Sequence, residues 1–147
     1  MVQKLRQKSQ GEGGFTLVEL LVVMLILGLL AAIAIPSFFN QREKAKDADA
    51  KSGARTAQTA IETYATDNGG SYVGAAAADL ETIEPTLNDV TLEEPTNLTA
   101  DTYTVTVTSS GKNANTFSIN RIAGGTTTLT CTAEETDGCP TGGVWGE

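Results

Sequence analysis

At 147 residues the chain has room for one domain with a modest core. It contains no histidine. That removes the commonest general base and zinc ligand, and with it any Ser-His-Asp triad or Cys-His pair. The net charge of −8 is placed unevenly: residues 1–14 hold Lys4, Arg6 and Lys8 against Glu12, residues 42–55 hold five basic groups against three acidic, and from Thr56 onward thirteen acids face Lys112 and Arg121. So acidic a C-terminal part repels nucleic-acid phosphates and is not expected to bind them directly.

The first element is apolar. Leu20–Ile35 is sixteen residues without a polar side chain, and residues 15–39 carry one charge, Glu19. A bilayer core of about 30 Å needs about 20 apolar helical residues, so this segment is long enough to span a membrane. The basic residues before it place the N-terminus in the cytoplasm and the acidic remainder outside. Three readings compete: a cleavable secretory signal with Ala32-Ile33-Ala34 as its small-residue site, a plain single-pass anchor, or a precursor cut at Gly14–Phe15 that keeps the apolar segment.

Residues 13–23, Gly-Gly-Phe-Thr-Leu-Val-Glu-Leu-Leu-Val-Val, resemble the processing motif of the type IV pilin and pseudopilin family. Its elements are a short basic leader ending in Gly, then Phe, three uncharged residues, Glu and a hydrophobic helix. The resemblance implies that residues 1–14 are a leader removed after Gly14 by a membrane aspartyl peptidase, the prepilin peptidase. It also implies that Phe15 becomes an N-methylated N-terminus and that Glu19 is the assembly residue. A carboxylate in lipid costs at least about 2.5–3.5 kcal/mol on insertion scales, so a retained one is expected to have a partner. The new amine at Phe15 of a neighbouring subunit is a suitable one, and the pair would fix axial register as one buried polar pair does in a coiled coil. Gly28 and Pro36 lie inside the helical run and are expected to kink it. In the family such a proline goes with local melting in the fibre.

Residues 40–66 continue the helix with Ala, Lys, Glu, Gln and Arg. Ala50, Ala54, Ala57, Ile61 and Tyr64 form one face at 3–4 spacing. Asp47 and Lys51 are placed for an i,i+4 pair. The charges from Arg42 to Asp49 otherwise read as a solvated face, some of them available to bridge subunits. Asn68-Gly69-Gly70 ends the helix, and Tyr64–Tyr72 resembles the helix-to-loop junction of both pilins and pseudopilins.

Residues 67–147 are expected to form the globular domain. Residues 67–101 read as a variable loop with a helical turn near Asp79–Ile83. Its acids raise a calcium site, but no EF-hand spacing is present, so neither metal nor cofactor is expected. Over 102–132, Thr102–Thr108, Thr116–Ile122 and Thr126–Thr132 alternate as three strands, with Tyr103, Val105, Val107, Phe117, Ile119, Leu129 and Cys131 turned to one side. Cys131 and Cys139 read as a disulfide in an exported protein, closing a loop that resembles the C-terminal disulfide loop of many pilins. Trp145 is expected to cap the sheet. Asn97-Leu98-Thr99 is a glycosylation sequon by pattern only.

The fold class expected is α+β: a long N-terminal helix, half transmembrane (15–39) and half amphipathic (40–66), on an antiparallel sheet of about three strands. No catalytic constellation is found, and the chain reads as a structural protein. The resemblance implies a membrane-inserted precursor that matures into a homo-oligomeric helical fibre, in the family serving adhesion, twitching movement or DNA uptake. It also implies the membrane assembly platform and minor pilins as partners. The alternatives are a pseudopilin of a secretion or competence system and a monomeric membrane-anchored binding domain, which would have no use for Glu19.

Overall fold

The computed structural model describes residues 14–132 and 138–146. The expected leader, apart from Gly14, lies outside the described residues, as do positions 133–137 of the disulfide loop. The chain divides into two compact units, Met1–Phe38 and Phe39–Glu147.

Within the first unit the described structure is the start of α1 (Leu17–Asp67). The backbone stays helical through Gly28 and Pro36, so the proline neither ends nor splits α1. Its large apolar side chains, from Leu17 through Ile35, are exposed. This helix is long and apolar enough to cross a membrane.

In the second unit the rest of α1 carries the core face. Ala50, Ala54, Ala57, Ile61 and Ala65 are buried, and Tyr64 is half-buried beside them. Because most of these side chains are methyl groups, the sheet lies close to the helix and covers it with larger residues of its own. The helix ends where Gly69 and Gly70 take φ of +69° and +87°, and the Gly70 amide donates to the Ala65 carbonyl at 2.7 Å. A residue with a Cβ would be strained there.

The stretch read as loop is more ordered than its composition suggests. It holds α2 (Ala77–Ile83), a 3-10 turn (Pro85–Asp89) and strand β1 (Thr91–Leu92). β1 makes a fourth strand where about three were expected; two residues are too few to show an alternation. With β2 (Tyr103–Thr108), β3 (Thr116–Arg121) and β4 (Thr127–Thr132) it forms an antiparallel meander in the order β1-β2-β3-β4. Register pairs Val107 with Phe117, Val105 with Ile119 and Phe117 with Cys131. The inward Val, Ile and Phe residues therefore meet one another, while Tyr103 stands opposite Arg121, and each fully buried Val, Ile or Phe contributes roughly 1.5–3 kcal/mol. The opposite face is hydroxylic, with Thr106 bonded to Ser118 at 2.9 Å and Thr104 to Asn120 at 2.9 Å.

Residues 143–145 run along the β4 edge. The Cys131 amide donates to the Gly143 carbonyl at 2.7 Å, and the Trp145 amide to the Leu129 carbonyl at 3.2 Å. Trp145 is buried edge-on against Phe117 at 5.8 Å, with its indole N–H on the Thr130 carbonyl at 2.9 Å. It caps the sheet and satisfies its one donor.

Candidate assembly site

At the head of α1, Thr16 and Glu19 close a reciprocal cap. The Thr16 amide and hydroxyl each donate to Glu19 Oε2 at 2.9 Å, and the Glu19 amide donates to Thr16 Oγ1 at 3.2 Å. This is the capping-box arrangement, in which Ser or Thr precedes Glu by three residues. The pattern stands in the sequence at Thr16-Leu17-Val18-Glu19, where the larger motif overshadows it. The carboxylate thus has a local role, since it satisfies the backbone at the helix start. Its other oxygen, Oε1, takes no part in the cap. Phe15 is 84% exposed and, among the described residues, nothing lies within 4 Å of where a Cβ on Gly14 would sit, so on that side the Gly14–Phe15 bond stands uncovered next to the capped turn.

Gly28 and Pro36 lie further along the same helix, and Cys131 and Cys139 belong to the second unit. These two cysteines are bonded to each other, with their Cα atoms 5.9 Å apart.

In the second unit the helix charges do more than face solvent. Asp47 is buried rather than solvated: its Oδ2 accepts the Gly138 amide at 2.8 Å and the Asn115 side-chain amide at 2.8 Å. Lys51, expected to pair with Asp47 along the helix, instead donates to the carbonyl of the same Gly138. Carboxylate and ammonium therefore hold one residue at both its amide and its carbonyl. Asp47 precedes Ala50 by three, so it continues the 3–4 stripe of Ala50, Ala54, Ala57 and Ile61; that is the signal the sequence offers. Just before it, Glu43 accepts the Lys112 amide at 2.5 Å and pairs with Lys46 at 3.1 Å. The Lys112 amide, and then Lys46, hold the Glu43 carboxyl below its usual pKa.

Glu62 is a second junction. It accepts the hydroxyls of Tyr72 at 2.7 Å and Tyr103 at 3.0 Å and is bridged by Arg121 at 3.0 Å. Burial, reinforced by the Glu62 carboxylate, pushes Tyr72 up to about 12 and raises Tyr103 as well. No sequence pattern marks this group, because its members are 10, 41 and 59 residues from Glu62. Among the described residues no cluster of three or more acidic, histidine or cysteine side chains is placed to hold a metal ion.

A sequence model of the prokaryotic N-terminal methylation motif matches residues 10–35. The type IV major pilin protein PilA of Myxococcus xanthus is 43% identical over 51 residues, 35% of this chain and 23% of the relative. The type II secretion system core protein G of Pectobacterium carotovorum is 32% identical over 97 residues, 66% of this chain and 60% of the relative. The type IV major fimbrial protein FimA of Dichelobacter nodosus is 39% identical over 70 residues, 46% of this chain and 45% of the relative. The chain thus spans from about a quarter to three fifths of the length of these relatives. No solved structure matches.

Proposed function

We propose that this chain, a member of the type IV pilin and pseudopilin family, is the subunit of an extracellular type IV pilus that polymerises through α1 after its leader is removed. The observation that carries the reading is the head of α1: a carboxylate at Glu19, set one helical turn past an exposed Gly14–Phe15 bond, at the start of an apolar helix whose side chains are uncovered.

Cleavage after Gly14 by the prepilin peptidase frees an amine at Phe15, which the same enzyme methylates. N-methylation keeps the amine basic, so it remains a cation. In the fibre that cation meets Glu19 of a neighbour, with Oε1 receiving it while Oε2 stays on Thr16. Pairing the two charges removes the penalty of an isolated carboxylate in an apolar environment and fixes the axial offset between adjacent helices. The apolar side chains, exposed in the single chain, are then covered by other copies of α1, with the membrane holding them before assembly. Gly28 and Pro36 are the positions where the packed helix would bend or open. The assembly platform and minor pilins enter as partners on the same reading.

One observation favours a second reading. The type II secretion relative aligns over 66% of this chain, against 35% for the Myxococcus pilin, which supports a pseudopilin of a short secretion fibre. The deciding experiment is the intact mass of the protein in filaments sheared from cells. A mass beginning at Phe15 with one added methyl, in abundance, supports the pilus subunit. The same processed form in membranes but not in the sheared fraction favours the pseudopilin. A soluble species beginning at Ile35 overturns both.

A further inference from the structure

The second unit carries opposite charges on opposite flanks of its helix. Val90 packs beside Gly53, with its methyl carbons 3.1 Å from where a Cβ on that glycine would sit. On either side of Val90, Asp89 and Glu93 are exposed, and Glu93 is steadied by the Thr108 hydroxyl at 2.6 Å. Val90 thereby brings Asp89 to the Gly53 side of α1, with Glu93 following across β1.

Lys44 is exposed and nine residues earlier. At 100° and 1.5 Å per residue, nine residues turn the helix through about half a revolution and move about 14 Å along the axis. Lys44 thus stands on the side of the helix opposite the Val90 contact and about 14 Å closer to the helix start. Of the other cations in this part of the helix, Lys46 is engaged with Glu43, Lys51 with the Gly138 carbonyl and Arg55 with the Trp145 ring at 5.2 Å, while Arg42, exposed two residues before Lys44, is turned about 200° from it around the axis. Ion pairs among the described residues take in Lys46 and Arg121 but not Lys44, Asp89 or Glu93.

Complementary charges on opposite flanks, offset along one axis, are what a head-to-tail contact requires. A two-fold contact would bring each flank onto its own kind, whereas repetition of a head-to-tail contact gives an open helical filament. We propose that Lys44 of one subunit docks on Asp89 and Glu93 of a second, parallel copy displaced by about 14 Å along the helix axis. This salt seam sets the stagger of the globular parts. The inference rests on the fibre reading and deepens it, since the seam lies outside the apolar helix and selects which copy sits beside which.

The test is a charge swap in the full-length chain expressed in cells, scored as subunit recovered in sheared filaments relative to subunit in membranes. Lys44→Glu alone, and Asp89→Lys with Glu93→Lys, should each lower recovery severalfold while membrane levels hold. The three changes together should restore it, because the attraction is rebuilt with its sign reversed. Filaments of the parent chain should also shed subunits faster as salt rises, since the Debye length falls from about 10 Å at 0.1 M to about 3 Å at 1 M.

Single reversals that leave recovery unchanged overturn the seam. So does a triple variant as poor as the singles, which would instead mark Lys44 as a ligand for lipid headgroups. A variant absent from membranes has failed to fold; Lys44→Gln and the paired Asp89→Asn and Glu93→Gln then replace the reversals, and the seam fails if these neutral variants assemble as well as the parent. A parent chain with no multimer in either fraction sinks the fibre reading itself. A parent that assembles while the swaps make no difference sinks the seam alone.

Discussion

Gly138 and Asp47 stand 91 residues apart in the chain, and the amide of the first donates to the buried carboxylate of the second at 2.8 Å. Lys51 closes on the carbonyl of the same glycine, and Asn115 brings the β2–β3 turn to the same carboxylate. Two segments that share no local signal are thereby fixed to one turn of α1. The glycine is required on steric grounds, because a Cβ at 138 would lie 2.5 Å from Asp47 Cβ. Gly138→Ala should therefore cost about 1–3 kcal/mol, as an overpacked site does. Asp47→Ala should cost a similar amount, about 1–3 kcal/mol, because it leaves one buried donor, on Asn115, and one part-buried donor, on Gly138, unpaired. Thermal unfolding of the full chain in detergent measures both, and an unchanged melting temperature for either variant would contradict the account.

Glu19 caps its own helix and, on the proposed fibre reading, would also pair with a neighbour; two substitutions tell these duties apart. Glu19→Gln keeps an acceptor at the third helical position, so the cap on Thr16 survives while the charge is lost. It should insert in the membrane, be processed after Gly14 and yet fail to assemble. Glu19→Ala should lose the cap as well, weakening the helix start by about 1 kcal/mol. Sheared-filament yield and helix content are the readouts. Normal filaments from Glu19→Gln would show that the charge pair is not what assembles the fibre.

The disulfide secures the strand edge as well as a loop. Reducing Cys131–Cys139 should lower stability by about 2–3 kcal/mol, the expectation for so short a loop. It should also loosen residues 143–145 from β4. Hydrogen exchange at the Cys131 amide, which donates to Gly143, should accelerate before that at the Val105 and Ile119 amides inside the sheet. Equal acceleration throughout would mean that the tie acts on the whole fold and not on this edge.

Tyr72 and Tyr103 predict an alkaline limit. Their folded pKa values lie above the unfolded value of 10.0, so the neutral phenols are the favoured forms in the fold. Their contribution is fully present below pH 10. It falls as the pH rises toward about 12, where Tyr72 itself ionises, because the unfolded chain loses its phenolic protons first. Ultraviolet titration of phenolate should show two late tyrosines in the native protein. Glu62→Gln should bring both to lower pH, since the carboxylate is a secondary cause behind burial. Native tyrosines that all ionise near pH 10 would rule out the Glu62 junction as described.

Much of this architecture can be read from local periodicity. Ala50, Ala54, Ala57 and Ile61 mark a helix face because residues three and four apart share one side. Tyr103, Val105 and Val107 mark a strand face because alternate residues do. The motif around Phe15 and Glu19 is legible for the same reason, as its members lie within one turn. Asp47 falls on the same stripe, yet one acid within a run of charges reads as solvated until something covers it. β1 escapes as well, because two residues carry no period.

By itself the sequence determined the N-terminal methylation motif, the α+β class, an apolar helix long enough to span a membrane, and the alternation of the sheet, since each depends on residues close in the chain. Only the tertiary structure decided that Asp47 holds Gly138 and Asn115, that Glu62 gathers two tyrosines and an arginine, and that Lys44 and the Asp89–Glu93 pair lie on opposite flanks. Those relationships join positions tens of residues apart. A chain position carries no information about such neighbours until the backbone has brought them within hydrogen-bonding distance or placed them around a common axis.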